Sequence, residues 1–420
     1  MVRKTPMKSR FLKKELCINR YSKLGRIIVL TGARQTGKTT LVKNLCNNYQ
    51  YISIEDPVVV EQLKGLTASQ WSQLYPQAIL DEVQKVPVFI ESIKSVYDQF
   101  DKPKYILLGS SQILLLRKIR ESLAGRCKIL EMFPLTLPEI LTKKFTNEIS
   151  LSYFQNLLID GDILSEPSIL LYGNHPSRIK EFNHFLQFGG LPALYDNTLN
   201  DKEKQDWLKD YIKTYLERDI RDLADIRNLE PFTKLLRLLA VNTGQLANYS
   251  RLAAEAGVSP KTAQRFIEYM NISYQTVSLQ SWSRNHKKRL VKSPKIHFLD
   301  PGVMRAVSQK KDPLTGSEFE SAIIAEIYKQ AKMVNANLNF YHLRTSDGRE
   351  LDLLIESERG YIAIEIKQTK NVRSVDGRHL REIDAILDKP VLHKFILSND
   401  YHIKDFNNNT TAISAVQFLT

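Results

Sequence analysis

The chain has 420 residues, of which 43% are hydrophobic and 25% charged, and its formal net charge is +14 at pH 7. These fractions exclude a disordered chain and are typical of a globular protein with about two to four domains. The excess of positive charge favours a polyanionic partner, nucleic acid before an anionic membrane, although a merely solubilising surface would give the same total.

Three cysteines, Cys17, Cys46 and Cys127, lie far apart in the chain. Their spacing fits neither a disulfide framework nor a zinc site, and it indicates free thiols in a reducing compartment. The basic N-terminus is not followed by an apolar signal segment, and no apolar run approaches the length of a membrane-spanning helix. We therefore expect a cytoplasmic protein that does not bind membranes.

Residues 1–26 are rich in lysine and arginine, and we interpret them as a basic N-terminal arm. Residues 27–140 alternate short apolar segments with helical ones, which is the pattern of an α/β fold with a parallel sheet. The predicted strands are 27–30, 51–54, 78–80, 105–108 and 128–131.

A phosphate-binding pattern, G-x(4)-G-K-[ST], lies between the first strand and a predicted helix, 39–45. Gly32 and Gly37 let the backbone turn so that successive N–H groups point at phosphate oxygens, and the helix adds its positive dipole end. Lys38 is expected to reach the β- and γ-phosphates, and the Thr39 hydroxyl to bind Mg²⁺. The predicted residues of this ATP and Mg²⁺ site are Gly32, Ala33, Arg34, Gln35, Thr36, Gly37, Lys38, Thr39 and Thr40.

A second apolar strand, 77–80, ends in Asp81 and Glu82. Asp81 is expected to hold Mg²⁺ through water, and Glu82 to polarise the water that attacks the γ-phosphate. A phosphate-binding loop or a strand that ends in carboxylates can each occur by chance. Both in this order predict ATP hydrolysis.

Strand 105–108 is followed by Ser110, at a place that resembles the sensor-1 position of AAA+ ATPases, beside the γ-phosphate. A helix-capping role explains this serine equally well. Three arginines follow: Arg117, Arg120 and Arg126. One of them could serve as an arginine finger on a neighbouring subunit, and Arg126 is the preferred candidate, although each could simply face solvent. Homo-oligomerisation is thus left open.

Residues 141–235 have helical periodicity and are interpreted as a helical lid or linker. Residues 236–305 predict a winged helix-turn-helix. Ser250 would cap its first helix, Gly257 lies in the turn, and Ser259 with Pro260 would begin the second helix. The predicted buried stripe of the second helix is Ala263, Phe266, Ile267 and Met270.

Two strand-like segments, 276–282 and 290–298, flank a basic run, 283–289, and together predict the hairpin wing of this module. Positive charge on the second helix and at the hairpin tip suits contacts with DNA phosphates. The candidate DNA-contacting residues are Lys261, Arg265, Arg284, Lys287, Lys288 and Arg289, and Lys292 and Lys295 extend the patch. The alternative is a module that packs internally or binds a protein, with a solvated tip.

Residues 306–420 predict a helix, 318–333, followed by strands. Side chains two apart share one face of a strand, so Glu365 and Lys367 project together, and Asp352 can reach them from the adjacent strand. Two carboxylates can hold a metal that activates water, and Glu320 could complete the shell while the lysine stabilises developing charge. This Asp…Glu-x-Lys arrangement, PD-(D/E)xK, is that of restriction-endonuclease-like folds. A cross-strand ion pair is the alternative explanation, and such folds are also reused for binding.

Together these motifs resemble a family of bacterial and archaeal AAA-type P-loop ATPases with a C-terminal restriction-endonuclease-like domain of unknown function. The segments that carry the resemblance are 31–40, 79–84, 108–111, 122–126, 188–192, 217–220, 295–300 and 365–367. The resemblance spans nearly the whole chain and implies an AAA-type core, a winged helix and a nuclease-like domain. We expect a Mg²⁺-dependent ATPase that acts on DNA. The alternatives are an ATP-gated nuclease and a nucleotide switch that binds a protein partner or regulates transcription.

Overall fold

The computed structural model describes residues 7–21, 26–109, 122–160, 175–221, 228–285, 287, 289, 292–345, 348–406 and 409–420. Four predicted site residues, Ser110, Arg117, Arg120 and Lys288, lie outside these ranges, and their roles stay predictions. The helices within these ranges are too short or too polar to cross a bilayer. The three cysteines are free thiols.

The N-terminal part of the chain is a parallel sheet with helices on both faces. Its elements are α1 (Leu12–Tyr21), β1 (Ile27–Gly32), α2 (Lys38–Leu45), β2 (Gln50–Ser53), α3 (Pro57–Lys64), α4 (Ala68–Leu74), β3 (Gln77–Asp81), α5 (Val88–Gln99), β4 (Lys104–Gly109) and β5 (Cys127–Met132). The strand order is β2-β3-β4-β1-β5, and all neighbours are parallel. Every residue of β1 is buried, as expected for a strand covered on both faces. The five predicted strands are confirmed.

A helical part follows. Its elements are α6 (Leu137–Ile140), α7 (Tyr153–Asp160), α8 (His175–Phe188), a 3₁₀ turn (Pro192–Tyr195), α9 (Asp201–Thr214), a π-helical turn (Tyr215–Ile220), α10 (Glu230–Val241), α11 (Tyr249–Ala256) and α12 (Pro260–Ile272). Gly257, between α11 and α12, has a φ of 72°, and Ser259 caps α12 as predicted. The cap of α11 is Asn248 and not Ser250, because the Asn248 side chain accepts the Arg251 N–H at 3.0 Å.

The remaining elements build a mixed sheet. They are β6 (Thr276–Ser281), β7 (Lys295–Phe298), α13 (Pro301–Ser308), α14 (Gly316–Met333), β8 (Asn339–Arg344), β9 (Glu350–Glu356), β10 (Tyr361–Lys367), a 3₁₀ turn (Ser374–Leu380), α15 (Ile383–Ile386), β11 (Val391–Ser398), β12 (Lys404–Phe406), β13 (Thr410–Ser414) and α16 (Ala415–Leu419). The strand order is β12-β13-β11-β10-β9-β8-β6-β7. The strands predicted as a separate wing thus belong to the C-terminal sheet, because β6 pairs with β8 at Gln280 and Tyr341.

Helix α14 is buried along most of its length and organises the packing around it. Its apolar residues pack in one core with the C-terminal sheet and with α6, α7 and α8. The last two helices contribute Phe154, Phe182 and Phe185 to this core. Phe188, Leu191, Leu194 and the buried residues of α9 instead share a second core with α10 to α13. The predicted linker, 141–235, therefore divides between two cores, because its apolar faces pack against partners that are distant in sequence.

A close backbone approach joins the end of α8 to the start of α13. The Asp300 carboxylate accepts the Gly190 N–H at 2.7 Å and the Val303 N–H at 3.0 Å. A Cβ atom on Gly302 would lie 1.9 Å from the carbonyl oxygen of Phe188, which no side chain can tolerate without backbone movement. The two segments therefore require glycine at this crossing.

We expect Gly302→Ala to lower the free energy of unfolding by about 3 kcal/mol, since the new methyl group meets backbone rather than a movable side chain. The matched control is Gly316→Ala, also in the first turn of a helix, because a Cβ there meets nothing within 4 Å. Thermal unfolding midpoints measure both. An unchanged midpoint for Gly302→Ala would contradict the close approach.

Candidate functional site

The predicted phosphate-binding loop runs from the end of β1 to the start of α2. Gly32 and Gly37 have φ values of 150° and 94°, and Gln35 has a φ of 59°. A Cβ atom on Gly32 would lie 2.1 Å from the carbonyl oxygen of Met132 in β5. Sheet packing and loop curvature thus both require glycine at position 32.

The charged and polar groups of the loop converge on one another. Lys38 is buried, and its Nζ donates to the carbonyl oxygens of Gly32 at 2.9 Å and Ala33 at 2.7 Å. The Thr39 hydroxyl donates to Asp81 Oδ2 at 2.8 Å. The two residues predicted as Mg²⁺ partners from separate motifs therefore lie in contact, and their hydroxyl and carboxylate oxygens suit this ion.

Tyr51 is a member of this site that the sequence did not indicate. Its hydroxyl donates to Asp81 Oδ2 at 2.8 Å. Burial and the Asp81 carboxylate raise the pKa of Tyr51, so the phenol stays protonated and remains a donor. The only sequence signal is that Tyr51 begins the predicted strand next to the one that ends in Asp81.

Glu82 follows β3 directly and adopts a φ of 59°. This left-handed conformation costs a non-glycine residue about 1–2 kcal/mol and is a feature of functional sites. The Glu82 carboxylate accepts a hydrogen bond from Gln84 Nε2 at 2.5 Å. Its position at the carboxyl end of β3, beside Asp81, suits the predicted role toward the attacking water.

Arg126 lies away from the loop of its own chain. Arg126 precedes β5, whereas the loop follows β1. Because β1 and β5 pair in parallel, Arg126 lies at the N-terminal ends of the strands and the loop at their C-terminal ends. Its guanidinium binds the Asp98 carboxylate of α5 through Nε at 2.7 Å and Nη2 at 3.3 Å. Contact with a phosphate would therefore require a second copy of the chain and the release of Asp98.

A cavity of about 190 Å³ adjoins the loop. Its walls come from the N-terminal arm, the loop, the end of the sheet and the 3₁₀ turn. They are Met7, Lys8, Arg10, Thr36, Gly37, Thr40, Met132, Leu135, Pro192 and Ala193. Five of these ten residues are apolar, so the cavity beside the loop has a mixed apolar and polar lining.

The middle part of the chain is tied to the sheet at the loop. Tyr274 lies just before β6, which begins at Thr276. Its side chain is buried, and its hydroxyl donates to Glu131 Oε1 at 2.9 Å. The same hydroxyl lies 3.1 Å from Thr31 Oγ1, and Thr31 directly precedes Gly32. The residue that directly precedes Gly32 therefore contacts the residue that lies just before β6.

The second predicted site lies on β9 and β10. Lys367 Nζ is 2.6 Å from Glu365 Oε1 and 3.9 Å from Asp352 Oδ2, so the three predicted residues do converge. Asp352 Oδ2 also accepts the backbone N–H of Ile366 at 2.8 Å. Burial, and then repulsion from Glu320 and Glu365, raise the pKa of Asp352 well above its usual range.

Lys295 belongs to this same cluster. The sequence places it in an exposed basic patch, and that prediction is wrong. The residue is only 4% exposed, and its Nζ lies 2.7 Å from Glu350 Oε1 and 3.2 Å from Glu320 Oε1. Strand β7 carries it there because β6 and β7 join the C-terminal sheet. The sequence offers no signal for this contact, which brings residues from separate predicted modules together.

The cluster fits a divalent metal only through two of the three predicted carboxylates. Among the described residues, no group of three His, Cys, Asp or Glu side chains is arranged to hold a metal ion. Glu320 is paired with Lys295. Glu365 is 1% exposed, and its Oε2 has no hydrogen-bond partner in the described part of the chain. Asp352 and Glu365 therefore fit Mg²⁺, which commonly binds one or two carboxylates and keeps several waters.

The predicted basic hairpin tip is corrected at Arg289, which is buried, whereas Arg284 is exposed and its DNA contact stays a prediction. Arg289 is 5% exposed, forms ion pairs with Glu356 at 3.4 Å and Asp388 at 3.7 Å, and packs on Trp282. Arg284 donates to three backbone carbonyls around α15. Both guanidinium groups thus bind the C-terminal part of the protein, because it supplies carboxylates and carbonyls within reach.

Three other candidate DNA-contacting residues are exposed. Lys261 and Arg265 lie on the outer face of α12, and Lys287 lies in the segment between β6 and β7. The predicted stripe Ala263, Phe266, Ile267 and Met270 is buried. The helix therefore turns its basic residues outward.

Comparison with known proteins finds three family models along the chain. Residues 24–141 match an AAA domain, residues 179–314 a domain of unknown function (DUF8612), and residues 315–418 a second domain of unknown function (DUF4143). An uncharacterized protein of Mycobacterium tuberculosis is 26% identical over 406 residues, which cover 94% of this chain and 81% of that protein. An uncharacterized protein of Methanocaldococcus jannaschii is 26% identical over 416 residues, which cover 92% of this chain and 86% of that protein.

Among solved structures, a Walker-type ATPase of Pyrococcus abyssi aligns with a TM-score of 0.45 and 16% identity, over 72% of this chain and 98% of that one. The match of residues 24–141 to an AAA domain agrees with the geometry of the loop, Thr39 and Asp81. This part of the chain is therefore similar to an AAA-type P-loop ATPase domain, and the similarity supports nucleotide binding and hydrolysis.

We expect Lys38→Ala to lower ATP turnover by about 10²–10³-fold, because it removes the positive charge that stabilises the β- and γ-phosphates. Glu82→Gln should preserve ATP binding and slow hydrolysis by about 10²-fold or more, since the amide cannot accept a proton from water. Phosphate release and nucleotide binding are measured separately for each variant. If Glu82→Gln hydrolysed ATP as fast as the wild type, Glu82 would not be the residue that polarises the attacking water.

Proposed function

We propose that this protein is a Mg²⁺-dependent ATPase that acts on DNA, with a winged helix-turn-helix and a restriction-endonuclease-like C-terminal domain. The observation that carries the proposal is the convergence of Asp352, Glu365 and Lys367 on adjacent strands of the C-terminal sheet. Two carboxylates beside a lysine match the needs of a site that contacts a phosphodiester and a cation. The exposed basic residues of α12 and the net charge of +14 support DNA as the partner.

The order of elements also supports the nuclease-like fold. Helix α14 precedes the antiparallel strands β8, β9 and β10, and β11 then pairs in parallel with β10. When bound by Asp352 and Glu365, Mg²⁺ would activate a water molecule for attack on a phosphodiester. Lys367, which contacts both carboxylates, would orient that water or stabilise negative charge on the phosphate.

The contact of Tyr274 with Thr31 suggests how ATP would control DNA binding. Tyr274 lies between α12, which carries the exposed basic residues, and the β6–β7 pair. A change at the loop that moves Thr31 would therefore shift both elements. In this proposal, ATP controls how α12 and the C-terminal domain engage the duplex.

We expect the affinity for duplex DNA to fall steeply between about 50 and 200 mM salt, because bound lysine and arginine release counterions from phosphates. The double variant Lys261→Ala, Arg265→Ala should reduce the slope of log affinity against log salt by about two, one unit for each lost phosphate contact. Fluorescence anisotropy with a labelled duplex measures the slope.

The matched control is Lys64→Ala, which removes an exposed lysine of the ATPase domain that pairs with Glu61. It should leave the slope unchanged. If the wild-type protein binds no DNA at any salt concentration, the proposal of DNA action is wrong. A nucleotide switch that binds a protein partner would then be the better account.

The partnerless Glu365 Oε2 favours a second candidate function, an ATP-gated nuclease. Plasmid DNA incubated with the pure protein, ATP and Mg²⁺ or Mn²⁺ should be nicked or cut, and Asp352→Ala should abolish this by removing a metal ligand. Gel electrophoresis measures the products. Cleavage that persists in Asp352→Ala would come from a contaminant, and absence of cleavage in the wild type would leave the domain a binding module.

A further inference from the structure

Lys295 joins the acidic cluster from β7, which precedes the C-terminal helix and strands α14 to β10. Its Nζ bridges Glu350 on β9 and Glu320 on α14, at 2.7 Å and 3.2 Å. Burial alone would lower the pKa of Lys295, but Glu320, Asp352 and Glu350 outweigh it and raise that pKa. Lys295 therefore stays a charged ammonium group inside the cluster.

The cluster has more negative than positive groups. Four carboxylates lie around two ammonium groups, those of Lys295 and Lys367, so full ionisation would leave a net charge of −2. His379 Nδ1 lies 3.3 Å from Glu365 and adds a positive charge only when protonated. The carboxylates are Glu320, Glu350, Asp352 and Glu365. A divalent cation would stabilise these carboxylates in their ionised form, and Glu365 Oε2, which has no hydrogen-bond partner among the described residues, offers it a ligand.

Lys295 limits how well such a cation can bind. It holds the Glu320 carboxylate, which the sequence had placed in the metal shell, and it adds a positive charge that repels a second cation. The pairing with Glu320 and the repulsion of a cation both act over short distances in a buried site, where screening by water is weak. Withdrawing the Lys295 ammonium would free Glu320 and deepen the negative potential at Asp352 and Glu365.

We propose that Lys295 is a built-in competitor of the divalent cation at the Asp352–Glu365 centre, an inference that rests on the proposed function of that centre. With Lys295 in place, the cation has two carboxylate ligands from the chain. With Lys295 withdrawn, the Glu320 carboxylate loses its ammonium partner and adds its negative charge to the field at the cation. The affinity of the centre for a divalent metal is then set by a residue on the strand pair that also touches the nucleotide site.

The test is Mn²⁺ binding to the full-length protein without nucleotide, measured by the electron paramagnetic resonance signal of free Mn²⁺. We expect Lys295→Met to bind Mn²⁺ at least about tenfold more tightly than the wild type, because a neighbouring positive charge is gone. Glu365→Gln identifies the binding that belongs to this centre. The matched control is Lys310→Met. Lys310 pairs with Glu318, which lies on α14 like Glu320 but outside the cluster, so this variant should leave the Mn²⁺ affinity unchanged.

A charge-matched variant separates the release of Glu320 from the change in field, and it serves if Lys295→Met fails to fold. The double variant Lys295→Met, Glu350→Gln removes one positive and one negative group, and it should still bind Mn²⁺ more tightly than the wild type. Affinity that is unchanged or weaker in both variants, with binding still lost in Glu365→Gln, would overturn the competitor role and leave the metal centre standing. Absence of any Mn²⁺ binding that depends on Glu365 would overturn the metal centre as well.

Discussion

The burial of α14 is the constraint on which the rest of the structure depends. A helix covered on all sides must satisfy its polar groups internally, and α14 does so with Glu326 and Lys329, which form a 2.8 Å ion pair at zero exposure. Glu326 also accepts the Leu137 N–H at 2.6 Å, at the exit from the ATPase domain. Gln330 donates to the Leu419 carbonyl at 2.8 Å, near the end of the chain. One helix thus fixes the ATPase domain and the C-terminal sheet against each other.

The strand pair β6–β7 provides the second connection between these parts. Tyr274, at its root, contacts Thr31 next to the phosphate-binding loop, and Lys295, on β7, lies in the acidic cluster. The pair also extends the C-terminal sheet through β8. Two sites that a linear division of the chain would assign to separate modules therefore both contact the chain segment from Tyr274 to β7.

The geometry of the phosphate-binding loop and its contact with Asp81 could be predicted from the sequence, because each of these motifs is local, whereas the roles of Ser110 and Arg126 stay predictions. The backbone needs glycine at Gly32, and β3 must end in Asp81 for the carboxylate to reach Thr39. The exception is Tyr51, which reaches Asp81 only because β2 and β3 are neighbours in the sheet. The Asp352, Glu365 and Lys367 set was also predictable, since strand periodicity alone places the last two on one face.

The sequence by itself determined the elements that follow from local periodicity and turn chemistry: the five parallel strands, the α11–α12 pair, and the helix and first strands of the C-terminal part. Tertiary structure decided which of the basic residues after β6 remain in solvent. Arg289 and Lys295 are of residue types that usually lie at the surface, yet both are buried against carboxylates of β9. A buried charged side chain is stabilised by a nearby opposite charge. For Lys295 and Arg289 that charge is on Glu350 and Glu356, some 55 and 67 positions away in the chain. No local pattern records such a contact, because it exists only once β6 has paired with β8.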